Sequence, residues 1–257
     1  SYNEQYPETV IVIDKENGGH GSGLNAGLEV ATGIYYKCVD SDDWVETDMV
    51  EKIAAEAIRS GSDIICFKIF KEEVDRQKIR GDRKYRIEQK SKFLRDIMDY
   101  TAYGYTVNKC AKRCLYTDNE VHFARFGMFE DVFLMTQLVD YAGSYAHIDD
   151  PLYHYRRTNL ESISRQKRSN KRLYASMNML DLYRAFKDDI PSSPIRETVG
   201  RIFYHAAWCS IAYKLDLFSK YPEIAGMIRS IPVSTKNLMP LTTQFFVKAY
   251  VLVKGLR

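Results

Sequence analysis

The stretch from Glu16 to Trp44, ENGGHGSGLNAGLEVATGIYYKCVDSDDW, decides the architecture. Gly18, Gly19, Gly21 and Gly23 break the chain, Leu24 to Ala31 reads as a helix, and Gly33 ends it. Ile34 to Val39 then reads as a strand that runs straight into Asp40, Ser41, Asp42 and Asp43. Carboxylates delivered at a strand end suit a hard divalent cation, which takes oxygen ligands and keeps waters and a substrate phosphate. The same acids, followed by Glu46 and Asp48, also suit the acidic entrance of a helix. The glycine-rich run before a helix is a place where backbone amides can face an anion. It matches neither the dinucleotide fingerprint nor the P-loop, so a plain turn explains it equally well.

Outward from this stretch, helix and strand patterns alternate. Thr9 to Asp14 (TVIVID) is short and β-branched, which predicts a strand. Glu46 to Arg59, closed by Gly61, predicts a helix, and Asp63 to Phe70 (DIICFKIF) a further strand. That β-α-β-α-β order predicts an open α/β sheet with mostly parallel strands, flanked by helices, with ligands at the strand carboxyl ends. Residues 72–92 are densely charged and read as an exposed hairpin or insert around Gly81-Asp82. Residues 93–100 read as a short helix. Glu130 and Asp131 open another helix through Tyr141, and Tyr145 to Tyr155 reads as paired short strands around Pro151. An acid pair at a helix start is either a cap or a general base, a carboxylate that draws the proton off an attacking hydroxyl. Beyond about residue 160 the pattern becomes wholly helical, ending on an amphipathic run from Leu241 to Leu256.

Composition limits the function classes. The chain has 257 residues, 45% hydrophobic and 28% charged, with 14 Gly and 7 Pro, enough to bury a core and unlike a disordered or fibrous chain. Five scattered cysteines argue against a secreted disulfide scaffold and for reduced thiols in a cytoplasmic setting. No apolar leader is present, nor any run of about 18 apolar residues. Residues 1–150 hold 19 Lys and Arg against 27 Asp and Glu, a balance of −8, while residues 151–257 carry +11. An acidic, metal-tolerant half is therefore joined to a basic half suited to an anionic partner. The five histidines lack the spacing of a zinc protease, and Cys110 and Cys114, one turn apart if helical, have no second pair to complete a zinc site.

The order of the pieces is more specific than any piece. ENGGHGSGLNAGLEVATGIYYKCVDSDDW, then VNKCAKR, FEDVFLMTQLVDYAG and DDPLYHYRRTNLESISR, resembles the family 2 glycosyltransferases of the GT-A fold over roughly residues 7 to 165. The resemblance implies a catalytic base from Glu130 and Asp131, with Asp131 the foremost. It also implies a donor site drawing on Asn17, Gly18, Asn25, Asp40, Asp42, Lys109 and Arg156. Mg²⁺ or Mn²⁺ would be held by Asp40, Asp42 and His154. The implied reaction is an inverting, metal-dependent transfer of a sugar from a nucleotide-sugar donor to a saccharide or lipid-linked acceptor, as in surface polysaccharide synthesis, with no nucleic acid partner.

Two departures from that pattern are visible. The family begins with a strand, helix and strand that build the nucleoside pocket, and this chain starts after them. Leu24 stands where the family often has an Arg. The expected organisation is a partial GT-A domain over residues 1–160 and a basic helical extension over 161–257. That extension could bring a cytoplasmic enzyme to an anionic membrane surface through residues 241–257. A nucleotidyltransferase shares the sheet and the acidic strand end, but not the ordered Glu-Asp and PLYHYRR segments. A non-catalytic binding module with a degraded donor site is the alternative outside enzymes.

Overall fold

A computed structural model describes residues 1–73, 76–80, 106–123 and 130–157, with the backbone alone at 73, 76–80, 130, 132, 133, 136 and 140. The expected turn at Gly81-Asp82, the helix over 93–100 and the whole helical extension lie outside the described residues. In chain order the elements are α1 (Tyr2–Gln5), α2 (His20–Val30), β1 (Tyr35–Tyr36), β2 (Trp44–Val45), α3 (Met49–Ser60), β3 (Ile64–Glu73), β4 (Arg76–Arg80), β5 (Lys109–Lys112), α4 (Cys114–Thr117), α5 (Glu130–Tyr141) and β6 (Tyr145–Arg156).

The sheet runs β1-β5-β3-β6-β2, with β4 also paired to β3. β6 lies along one edge of β3 from Ile64 to Glu72, so β5 (at 64–66) and β4 (at 69–73) share the other edge in succession. This is an open α/β sheet flanked by helices, as expected, but it is mixed. Among the described strands β3 and β6 run parallel, and every other pairing is antiparallel. The DIICFKIF run is buried on both faces, which is why it reads as continuously apolar. Ile65, Phe67 and Ile69 pack with Met49 and Ile53 of α3 and with Leu152 and Tyr153 of β6. Ile64 points the other way, towards Leu134 and Leu138 of α5.

Several local expectations are corrected. Thr9 to Asp14 is not a strand: no described strand pairs with it, and Ile11 and Val12 are 63% and 69% exposed. β-branched propensity becomes a strand only where a neighbour accepts the ladder and covers one face. Helix α1 precedes it instead, opened by a capping box between Ser1 and Glu4. The segment around Pro151 is one twelve-residue strand, not two. Its register against β3 slips on either side of Lys68, where Phe67 faces Ile148 but Lys68 faces Pro151. Proline has no N–H for the ladder, and the slip absorbs it without ending the strand. Cys110 lies in β5 and Cys114 opens α4, so no single helix joins them.

Candidate active site

The acidic turn is built by the sheet beneath it. After β1 the chain bends through Asp40, whose carbonyl accepts the Asp43 amide at 3.1 Å. Tyr153 on β6, fully buried, places its hydroxyl between the two: it accepts the Asp40 amide at 3.0 Å and donates to Asp43 Oδ2 at 2.7 Å. The Arg156 amide adds a bond to Asp43 Oδ1 at 2.8 Å. Burial raises the Asp43 carboxyl above its ordinary range, against the lowering effect of these two bonds. Asp43 therefore fastens the turn to β6, and Asp40 and Asp42 remain as the candidate metal ligands. Asp40 has a neighbour that the sequence did not single out: His20, the first residue of α2, brings Nε2 to 3.3 Å from Asp40 Oδ1. Gly19, at φ 88°, is the residue that lets the glycine-rich run turn into α2 there.

His154, the third expected metal ligand, lies between two carboxylates and two aromatic rings. Its Nδ1 lies 2.7 Å from Glu72 Oε1 and its Nε2 2.8 Å from Glu46 Oε1. The ring is stacked between Trp44 and Phe70, at centroid distances of 4.9 and 4.5 Å. Both ring nitrogens thus face carboxylates. Glu46, expected to open the following helix, ends the β2 segment, where its amide bonds Leu152 O. Among the described residues no group of three His, Cys, Asp or Glu side chains is placed to hold a metal. Asp40 and Asp42 nevertheless form a hard oxygen pair of the kind that Mg²⁺ uses when waters and a phosphate complete its shell.

Asp131 sits in the first turn of α5, and its Oδ1 accepts both the Thr106 amide, at 2.9 Å, and the Thr106 hydroxyl, at 2.5 Å. Thr106 thus fixes the orientation of the candidate base. Glu130 opens α5, and its side chain is outside the described residues. The Asn108-Lys109 pair lies buried next to Thr106: Asn108 Nδ2 bonds Phe67 O at 3.0 Å and Lys109 Nζ bonds Asn108 Oδ1 at 2.6 Å. Asp131 and Lys37 both act electrostatically on Cys38, which burial pushes up to about 12. Cys110 is likewise pushed up to about 11, so neither thiol is a nucleophile.

The remaining expected donor residues have different surroundings. Asn25 spends its amide on the backbone of Phe123, donating to its carbonyl at 3.1 Å and accepting its N–H at 2.8 Å. It anchors α2. Asn17 Oδ1 accepts the Gly19 amide at 3.0 Å and shapes the loop. At Gly18 an added Cβ would lie 2.7 Å from Ser22 Oγ, so a larger residue would displace that side chain. Arg156 is exposed and rests its guanidinium over Trp44, 5.3 Å from the ring centroid. Tyr153, Thr106, His20 and Lys37 escaped the sequence reading because they belong to no fixed spacing. They reach the site only through strand pairing or a long-range turn.

With this geometry in view, known proteins can be compared. The model of glycosyl transferase family 2 matches residues 1–116. Over those residues the chain resembles that family. The glycosyltransferase EpsH of Bacillus subtilis (strain 168) is 29% identical to it over 170 residues, 64% of this chain and 48% of EpsH. GlyG, a glycosyltransferase of Streptococcus pneumoniae serotype 4, is 30% identical over 162 residues, 58% of this chain and 52% of GlyG. The chain thus spans about half the length of these two relatives. S. aureus TarS (1–349), crystallised with UDP-GlcNAc, superposes with a TM-score of 0.61 at 16% identity, covering 99% of this chain and 75% of that one. At that identity the likeness speaks for the GT-A-like fold. No helix among the described residues is long and apolar enough to cross a membrane.

Proposed function

We propose that this chain moves a sugar from a nucleotide-sugar donor to a saccharide or lipid-linked acceptor, with inversion and with help from a divalent cation, in the assembly of a surface polysaccharide. The observation that carries the reading is the pairing of two held carboxylate groups. Tyr153 and Arg156 fasten the Asp40–Asp43 turn to β6, and Thr106 fixes Asp131 at the start of α5. The setting is supported by relatives named for cell-surface work, such as the minor teichoic acid biosynthesis protein GgaB of Bacillus subtilis, 24% identical over 202 residues. The donor class is supported by the complex of TarS with UDP-GlcNAc.

The chemistry assigns the roles. The acceptor oxygen attacks the anomeric carbon as the bond to the diphosphate breaks on the opposite face. An alcohol is a poor nucleophile until its proton is drawn off, and Asp131 receives that proton in our reading. Thr106 holds the carboxylate in one orientation, which a base acting along one line of attack requires. Asp40 and Asp42 would hold Mg²⁺ or Mn²⁺, which when bound neutralises the charge of the diphosphate. Tyr153, Asp43 and the Arg156 amide keep those two carboxylates in position.

The test is sugar transfer by the 257-residue chain from a panel of sugar nucleotides in Mn²⁺, alongside Asp131→Asn. The variant should bind donor as the parent does and turn over at least about two orders of magnitude more slowly, the usual size of a general-base contribution. Equal turnover would leave Asp131 as the anchor of Thr106 and remove it from the chemistry.

A further inference from the structure

Lys37 is a charged group of this region that the mechanism does not use. It follows β1 and precedes Asp40 by three residues. Its ammonium stands 5.6 Å from the ring centroid of Phe67 and 4.8 Å from that of Tyr153, both fully buried. Among the described residues, the hydrogen bond it makes is to the neighbouring backbone carbonyl of Cys38. An ammonium carries three donors, so two of its protons meet ring faces and no oxygen. Burial lowers its pKa to about 8, opposed by Cys38, Cys110 and Asp40 and reinforced by the second buried ammonium, Lys109.

A cation withdrawn from water is costly unless an anion compensates it. Aromatic faces compensate part of that cost. Asp40 also acts on it, but in our reading Asp40 is itself committed to a divalent cation. With that cation in place, Asp40 no longer compensates the ammonium, and the ammonium still has unused donors. Phosphate oxygens have the charge and the acceptor capacity to meet both needs, and lysine binds phosphate as a compact point charge.

We propose that Lys37 binds the diphosphate of the nucleotide-sugar donor, an inference that rests on the function proposed above. The competing role is structural, a cation pinned between two rings to join β1 to β3 and β6. Calorimetric titration of inorganic pyrophosphate with Mg²⁺ into the full chain separates the two, without sugar or acceptor. Lys37→Met keeps length and packing and removes the charge, and should weaken pyrophosphate at least about tenfold while melting no lower than the parent. Lys37→Arg should restore most of the binding. Unchanged binding in Lys37→Met, no binding by the parent, or a Lys37→Met chain that unfolds would each overturn the proposal. The glycosyl-transfer reading fails separately, in a parent chain that binds pyrophosphate through Lys37 yet moves no sugar from any sugar nucleotide.

Discussion

Asp42 and Asp43 are neighbours with opposite assignments, and what faces each one makes the difference. Asp43 accepts from the Tyr153 hydroxyl and the Arg156 amide, whereas Asp42 is assigned to metal and donor. Asp42→Ala should abolish Mg²⁺-dependent nucleotide binding, measured by calorimetry, with a urea midpoint close to the parent's. Asp43→Ala should instead destabilise by about 1–3 kcal/mol, because it leaves the buried Tyr153 hydroxyl without its acceptor. A urea midpoint that shifted for Asp42→Ala and not for Asp43→Ala would reverse the two assignments. At this scale the family resemblance singled out Asp40 and Asp42, but nothing in the sequence showed what Asp43 is bound to. DSDD shows three acids in four positions, and the Tyr153 hydroxyl that sorts them arrives from 110 residues away. The surroundings of His154 were hidden for the same reason, since Glu46 and Glu72 come to its ring only through the pairing of β6 with its neighbours.

Among the elements, α3 and β3 were legible because each carries its own signal. Gly61, in the left-handed region at φ 58°, closes α3 where the periodic pattern stops. β3 is a buried apolar run whatever it pairs with. The two-residue β1 and β2, and the single β6, were not legible, because their extents are set by partners and not by propensity. The junction of β3, β5 and α5 turns on one carboxylate. Asp63 accepts from Lys112 Nζ at 2.9 Å and from the amides of Gly143 and Ser144 at 2.7 and 2.9 Å. Burial alone would raise its carboxyl, but these bonds outweigh that and hold it below its ordinary 3.8. A carboxyl whose folded pKa lies below its unfolded one adds stability above the unfolded value and loses it as pH falls through the folded value. The gap in stability between the parent and Asp63→Asn should therefore be constant above about pH 5 and shrink on acidification below 3.8. A gap independent of pH from 6 down to about 2 would show that the charge of Asp63 is irrelevant to its role.

For the whole molecule, the charge division remains the broadest feature of the sequence, −8 over residues 1–150 and +11 over the remainder. Residues 241–257 combine an apolar helical pattern with Lys248, Lys254 and Arg257. Each such cation near an anionic leaflet gains roughly 1 kcal/mol. The chain should therefore sediment with anionic vesicles at low salt, less so at high salt, and less so when residues 241–257 are deleted. Equal sedimentation of the intact and shortened chains would assign the segment to packing. The sheet has a further consequence, one of timing. β3 gains its ladder along one whole edge from β6, beginning with Ile64 opposite Tyr145, and the apolar cluster on α3 is completed by Leu152 and Tyr153. During synthesis, then, α3 and β3 cannot seal the interior between them when they leave the ribosome. They must wait for a strand made roughly eighty residues later, and over that interval the apolar β3 lacks its partner along that edge.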